Sequence, residues 1–378
     1  MNRRDLRWLS QLLSCPTAPF RESTVITAVT QALSRAEVPH FRDPVGNIVV
    51  GASSRAEYRR LVHVRSAEPL RVFIAHMDHP GFHGLRWLSE RRLEVEWHGG
   101  SPVKHLAGAP VWLADTSGYV AEGRLANIRL GASRHAIHRA EVLLPKAFWR
   151  TRPAANVLYG GFRFRAPVWR AGQRIHTQAA DDLVGVFAVV HTAIKLHTAR
   201  RHTPFLGLLT RAEEVGFVGA IGHFELGWLG HARRPVVCVS LETSRALPGA
   251  RIGQGPVVRL GDRRTVFDPG ALQVLTEVAQ NVLPRRHQRR MMDGGTCEAT
   301  AATAWGFPAI GISVPLGNYH NQHDETGAPA PEYVHLGDVD GMLKLCRALM
   351  APDLPWSQPW QQPRRRLRTN LRRYRKLL

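Results

Sequence analysis

The chain reads as an α/β protein: a three-layer α/β/α sandwich around a mostly parallel sheet, with a small all-β, barrel-like domain inserted into it. Two observations predict this. Short apolar strands alternate with helical stretches at both ends of the chain, and between them the texture changes to short alternating segments with no long helix. Size agrees, since 378 residues can bury one large core, or one large and one small. The expected division is a main domain in two parts, 1–84 and 168–353, an inserted β domain at 85–167, and a basic, flexible tail at 354–378.

Asp5 to Leu13 and Thr24 to Ala36 carry apolar residues at helical spacing. His40 to Arg42 and Asn47 to Val50 read as a hairpin turned by Asp43-Pro44-Val45-Gly46. Leu70 to Ala75 is a short apolar run ending in polar residues, the pattern of a buried strand. Arg92 to Trp97, Val111 to Ala114 and Gly118 to Leu125 alternate between Gly, Ser and Asp turns, as a small β unit does. The helix and strand rhythm then resumes. Helices are expected at Leu183 to Leu196, Ala220 to Leu229, Ala271 to Val282, Thr300 to Trp305 and Asp338 to Leu349. Strands are expected at Phe205 to Leu209, Val236 to Leu241 and Ala309 to Val314.

The four cysteines are scattered and form no CxxC pair, which argues against a disulfide framework or a thiolate zinc site and for a reducing, cytoplasmic setting. No apolar run reaches the length of a membrane span, and Arg7, Ser10 and Gln11 break the first apolar stretch, so neither a membrane partner nor a secretory signal is expected. The net charge of +21 raises the question of nucleic acid. Eight of the positive charges lie between Arg364 and Lys376, and arginine outnumbers lysine 46 to 5. That distribution favours a solvated tail over a nucleic-acid face, although the tail leaves the question open.

Potential metal ligands fall just after the expected strands, where the crevice of an open α/β sheet lies. His76 and Asp78 follow Leu70 to Ala75, and residues two apart on extended backbone face one side, so Asp78 can orient the His76 imidazole. Asp181-Asp182 precedes a helix, Glu213-Glu214 follows a strand, Glu242 ends one, and His320 lies past another. Two cations about 4 Å apart need a bridging carboxylate and a spare one to move a proton, which the two acidic pairs offer. Each piece alone is weak: an Asp pair before a helix more often caps it, and adjacent glutamates more often face water. Five in order at strand ends are a pattern. His79, His83, His98, His105 and His202 read as ordinary surface or packing residues, and Cys297 has no histidine at a telling spacing.

With His76-Met77-Asp78, Asp181-Asp182-Leu183-Val184-Gly185, Glu213-Glu214-Val215-Gly216 and Gly294-Gly295-Thr296 in this order, the chain resembles the co-catalytic dinuclear zinc aminopeptidases, in particular the deblocking or tetrahedral (glutamyl/leucyl) group, up to about Ala351. The resemblance implies a metallopeptidase with two divalent ions per chain, zinc first and cobalt or manganese as alternatives. His76 and Glu242 would flank the metals, Asp181 would bridge them, and Glu214 and His320 (or His323) would complete the set. Asp78 would orient His76. Glu213 would be the general base, taking a proton from a metal-bridging water and passing it to the leaving amine. Gly294, Gly295, Thr296 and Tyr319 would contact the peptide substrate, and the β insert would serve a homo-oligomer.

Three departures mark this chain. Glu242 stands where the group commonly has Asp, Gly-Gly-Thr-Asp reads Gly294-Gly295-Thr296-Cys297-Glu298, and the last histidine segment is altered. The alternatives are a two-metal deacylase or dipeptidase on small N-acyl substrates, and a catalytically silent scaffold binding acidic partners through the tail.

Overall fold

The computed structural model describes residues 1–148, 151–200 and 203–378. Four parallel strands form its centre, in the order Phe205–Thr210, Leu70–His76, Val236–Arg245 and Ala309–Gly317. They are rich in apolar residues, and Leu70–His76 is buried along its whole length, as a strand covered on both faces must be. Its side chains alternate between two apolar clusters. Phe73 and Ala75 join one with Val186 and Leu345, whereas Leu70, Val72 and Ile74 join the other with Tyr58 and Ala302. Helices therefore pack against both faces of the sheet.

At both edges the sheet turns antiparallel. The hairpin His40–Arg42 and Ile48–Val50 adds antiparallel strands at one edge. Glu332–His335, Arg174–Thr177 and Val168–Ala171 add them at the other. The hairpin was expected; the three strands at the other edge, and the mutually parallel pair Val257–Asp262 and Gln288–Met292 that branches from Ala309–Gly317, were not. They are short or interrupted by charge, so no apolar run announces them. The helix Arg55–His63 was also missed: it buries only Tyr58 and Val62. Those two residues suffice. Tyr58 Oη lies 3.0 Å from His223 Nε2, and His223 Nδ1 lies 2.8 Å from Asp43 Oδ2. This buried chain ties the hairpin turn to two helices.

Leu183–Thr198 is apolar nearly all round and is correspondingly buried under the sheet, against Arg3–Leu13 and Leu336–Ala348. Asp182 caps it, its Oδ1 accepting the Gly185 N–H at 3.1 Å.

Gly81–Ser89, Arg92–His98, Ile137–Leu143, Gly118–Leu130, Pro110–Asp115 and Tyr159–Phe162 close into a six-stranded antiparallel barrel. Its own core contains Phe82, Val95, Trp97, Val111, Leu125 and Phe162. The first barrel strand begins at Gly81, ahead of the boundary expected at 85. Its glycines disguise it in sequence: a Cβ on Gly81 or Gly84 would meet a carbonyl oxygen of a neighbouring segment at 2.6 or 2.3 Å. The C-terminal stretch forms a helix, Gln361–Tyr374, with no buried residue. Among the described residues no helix is long and apolar enough to cross a membrane.

Candidate metal centre

The carboxyl ends of the four central strands, with the turn before the helix Leu183–Thr198, deliver the acidic and histidine side chains to one place. His76 is the last residue of its strand, buried, with Nε2 3.5 Å from Asp181 Oδ1 and 3.8 Å from Glu213 Oε2. Asp181 turns its other oxygen to the second histidine, Oδ2 standing 3.7 Å from His320 Nε2, which is 3.2 Å from Glu214 Oε2. Two groups thus share Asp181. In His76, Asp181 and Glu242, and again in Asp181, Glu214 and His320, the candidate ligand atoms lie within 4.8 Å of one another. A third such group joins His76, Glu213 and Glu214.

Asp181-Asp182 divides its work as adjacent residues in a turn must, one inward and one along the chain. Asp181 faces the cluster while Asp182 caps the helix and accepts from Thr243 Oγ1 at 2.9 Å. Asp78 lies beside His76, its backbone carbonyl nearer to Nδ1, at 3.1 Å, than its carboxylate, at 3.7 Å. The carboxylate also accepts the N–H groups of Glu213 and Glu214 at 2.9 and 3.1 Å. Glu22 adds the N–H of Ala212 at 3.1 Å, which holds that residue in the left-handed region at φ 52°. The Glu213-Glu214 turn is therefore clamped from two sides.

The donor set fits a cation. Among the described residues, Asp181 Oδ1, Glu214 Oε1 and His320 Nε2 are buried without a hydrogen-bond partner. Buried acceptors aimed at a common space require protons or metal to offset their desolvation. Burial is the largest influence on Glu213. With Glu214, Glu242 and Glu298 it pushes that carboxyl well above the usual range, against the pull of His76. Burial likewise raises Glu242 to about 8.

His320, not His323, reaches the cluster. His323 is turned into its own loop, its Nδ1 accepting from the N–H groups of Glu325 and Thr326 at 3.3 Å each. The Tyr319 ring stacks on His320 with centroids 3.7 Å apart. Tyr319, Gly294, Gly295 and Thr296 line one pocket together with Asp181 and Glu242.

Four further residues belong here that the sequence reading did not select. Glu332 is fully buried, and its carboxylate accepts from Ala180 N at 2.7 Å, Asp181 N at 3.1 Å and His320 N at 2.9 Å. His79, set aside as a surface or packing residue, is buried with Nδ1 2.6 Å from the Asp181 carbonyl. Glu298, also buried, takes a hydrogen bond from Thr210 and is raised by burial to about 7. Arg259 lines the pocket, and its Nε and Nη1 have no hydrogen-bond partner among the described residues. The available signals were a charge inside an apolar strand (Arg259) and a histidine within the first motif (His79). For Glu332 no motif exists.

Of the other set-aside groups, His83 and His98 lie against each other outside the cluster, their rings tilted by 51° with centroids 4.3 Å apart, and His105 is exposed; His202 lies outside the described residues. Cys297 is buried, its thiol pushed up by burial, so it is no nucleophile in waiting.

Residues 161–327 match the family model of the M42 glutamyl aminopeptidases. The fold is that of several solved aminopeptidases. An aminopeptidase from the archaeon Desulfurococcus kamchatkensis is 20% identical, with a TM-score of 0.73 over 95% of this chain and 98% of that one. A TET aminopeptidase from a marine sediment thaumarchaeote is 17% identical, with a TM-score of 0.73 over 93% and 97%. The Pyrococcus horikoshii TET1 peptidase, described as assembling into a tetrahedron or a large octahedral shell, is 18% identical, with a TM-score of 0.71 over 92% and 99%. No curated protein matches the chain by sequence. By sequence in the matched segment, and by fold over more than nine-tenths of its length, the chain is similar to the metal-dependent aminopeptidases of the M42 group, and the resemblance drawn from its motifs is borne out.

Proposed function

We propose that the chain removes residues from the free amino ends of peptides by two-metal hydrolysis. The observation that carries this reading is the pair of ligand groups sharing Asp181, with the clamped Glu213 beside them. His76, Asp181 and Glu242 would hold one cation, and Asp181, Glu214 and His320 the other, zinc being the first expectation for this mixed N/O set. When bound, the cations would act as Lewis acids on the scissile carbonyl and on water.

Glu213 is the residue that moves the proton. Its carboxylate takes it from the attacking water as the new C–O bond forms, and gives it to the amine nitrogen as the C–N bond breaks. The upward push on its pKa suits a group that must both take and release that proton. Arg259 would receive the side chain of the first substrate residue. A guanidinium beside the ligands, with Nε and Nη1 unpartnered among the described residues, favours a carboxylate there, so acidic amino-terminal residues fit best. The match to a glutamyl aminopeptidase family supports that choice. The fold neighbours that form closed shells support a homo-oligomer, and the helices on both sheet faces support a three-layer sandwich.

The test is elemental analysis of gently purified protein, run beside Glu213→Gln and an aminoacyl-anilide assay. Two metals per chain are expected in both proteins, with activity falling by about 10²–10⁴-fold in the variant alone. Turnover of N-acyl substrates but not of free-amine ones would point to the deacylase. A metal-free chain, inactive after zinc, cobalt or manganese is restored, would leave the scaffold.

A further inference from the structure

The helix Gln361–Tyr374 stands apart from the site and the barrel. Its base is anchored: Trp356 lies under the Arg71 guanidinium, 6.0 Å from Cζ to the ring centre, and the Pro359 ring adjoins Gly270. Beyond that anchor, among the described residues, the helix makes no hydrogen bond or ion pair with any other element.

Its sequence is two-sided. Trp360, Leu367, Leu371 and Tyr374 recur at seven, four and three residues, which places them along one stripe of a 3.6-residue helix. All four are exposed, Leu367 by 68% and Leu371 by 54%. Arg364, Arg365, Arg366, Arg368, Arg372 and Arg373 surround the stripe, and no acidic residue falls between Gln361 and Tyr374.

We propose that this helix lies on anionic lipid surfaces, its apolar stripe entering the headgroup boundary and its arginines pairing with lipid phosphates and carboxylates. Both halves of the pattern are needed for this. Arginines with Trp360 and Tyr374 could serve RNA by pairing and stacking, but Leu367 and Leu371 offer RNA neither a stacking face nor a hydrogen bond. A second copy of the helix could cover the stripe only by bringing six like charges against six. A lipid interface satisfies apolar and cationic faces together, each basic side chain adding attraction to the negative surface. That no helix spans a membrane has no bearing on one lying along it.

The experiment is vesicle sedimentation of the full chain, with phosphatidylcholine vesicles alone or containing about one-third phosphatidylserine. Binding is expected only to the serine-lipid vesicles, weakening as salt rises. The double substitution Leu367→Gln, Leu371→Gln should weaken it by about tenfold or more at unchanged thermal midpoint. Arg365→Gln with Arg372→Gln should also weaken it. Three outcomes overturn the proposal: no vesicle binding by the parent chain, vesicle binding that the double leucine variant leaves intact, or a fall in solution mass on leucine substitution without loss of vesicle binding. Retention of single-stranded RNA in place of vesicles, indifferent to the leucines, would assign the helix to nucleic acid.

Discussion

Glu332 collects three N–H groups from two separate loops, those of Asp181 and His320, and so fixes the spacing between the two halves of the candidate metal centre. A carboxamide can accept at only one of its two atoms, so Glu332→Gln turns a donor against at least one of these N–H groups. Leaving such a group unsatisfied costs about 1–3 kcal/mol. We expect the variant to fold, to lose roughly tenfold or more in kcat/KM, and to regain activity as metal concentration rises. Full metal content and activity in the variant would remove Glu332 from this role. Arg259 acts on the substrate side instead. Arg259→Gln should lower kcat/KM on a glutamyl anilide by about 10–100-fold, the worth of a charge-assisted hydrogen bond, and change a leucyl anilide far less. An equal loss on both substrates would make Arg259 merely structural. At this scale the sequence was legible where residues lie in motifs at strand ends: His76, Asp181, Glu213, Glu214, Glu242 and His320 all reach one cluster. Glu332 was not, because it works through backbone N–H groups of distant residues, and nothing near it in the chain records that. For Asp78, spacing along an extended strand places the side chain beside His76 without saying that it also meets the Glu213 and Glu214 N–H groups.

The barrel meets the centre through one loop. Gly99 and Gly100 follow the strand Arg92–His98, and Trp97 Nε1 donates to the Gly100 carbonyl at 3.1 Å, which holds the loop in place. A Cβ on Gly100 would stand 2.1 Å from His320 Nδ1, and one on Gly99, already at φ 83°, would stand 3.2 Å from the Glu214 Cβ. The barrel thus forms a wall behind two candidate ligands. Gly100→Ala should displace His320 and cut activity sharply, with the circular dichroism and thermal midpoint of the chain nearly unchanged, because the barrel core lies elsewhere. An alanine variant of normal activity would show that the loop yields. Element positions were legible wherever apolar residues dominate, as in Leu70–His76 and Leu183–Thr198. They were lost where glycine replaces apolar side chains at close backbone approaches, as in Gly81–Ser89. The small helix Arg55–His63 was lost because charges dilute its two buried contacts.

Charge is distributed against the average over the whole molecule. The chain carries +21, yet around one buried point it gathers Asp78, Asp181, Asp182, Glu242, Glu298 and Glu332, all buried, with Glu213 and Glu214 at the rim. Composition alone could not reveal this, because most of the arginines lie on the surface and in the terminal helix. A cluster of that kind is held together by what neutralises it. Cations bound to the folded chain alone stabilise it by about 2.7 kcal/mol at a hundredfold excess over Kd, a figure that already contains the repulsion they relieve. Removing them with a chelator should therefore lower the thermal midpoint by about 5 °C or more, and adding zinc back should restore it. In Asp181→Asn, which deprives both ligand groups of their shared oxygen pair, the starting midpoint should respond little to chelator or zinc. A parent chain whose midpoint ignores chelation and zinc alike would mean that protons, not cations, balance these carboxylates, and that the two ligand groups around Asp181 hold no metal in the folded protein.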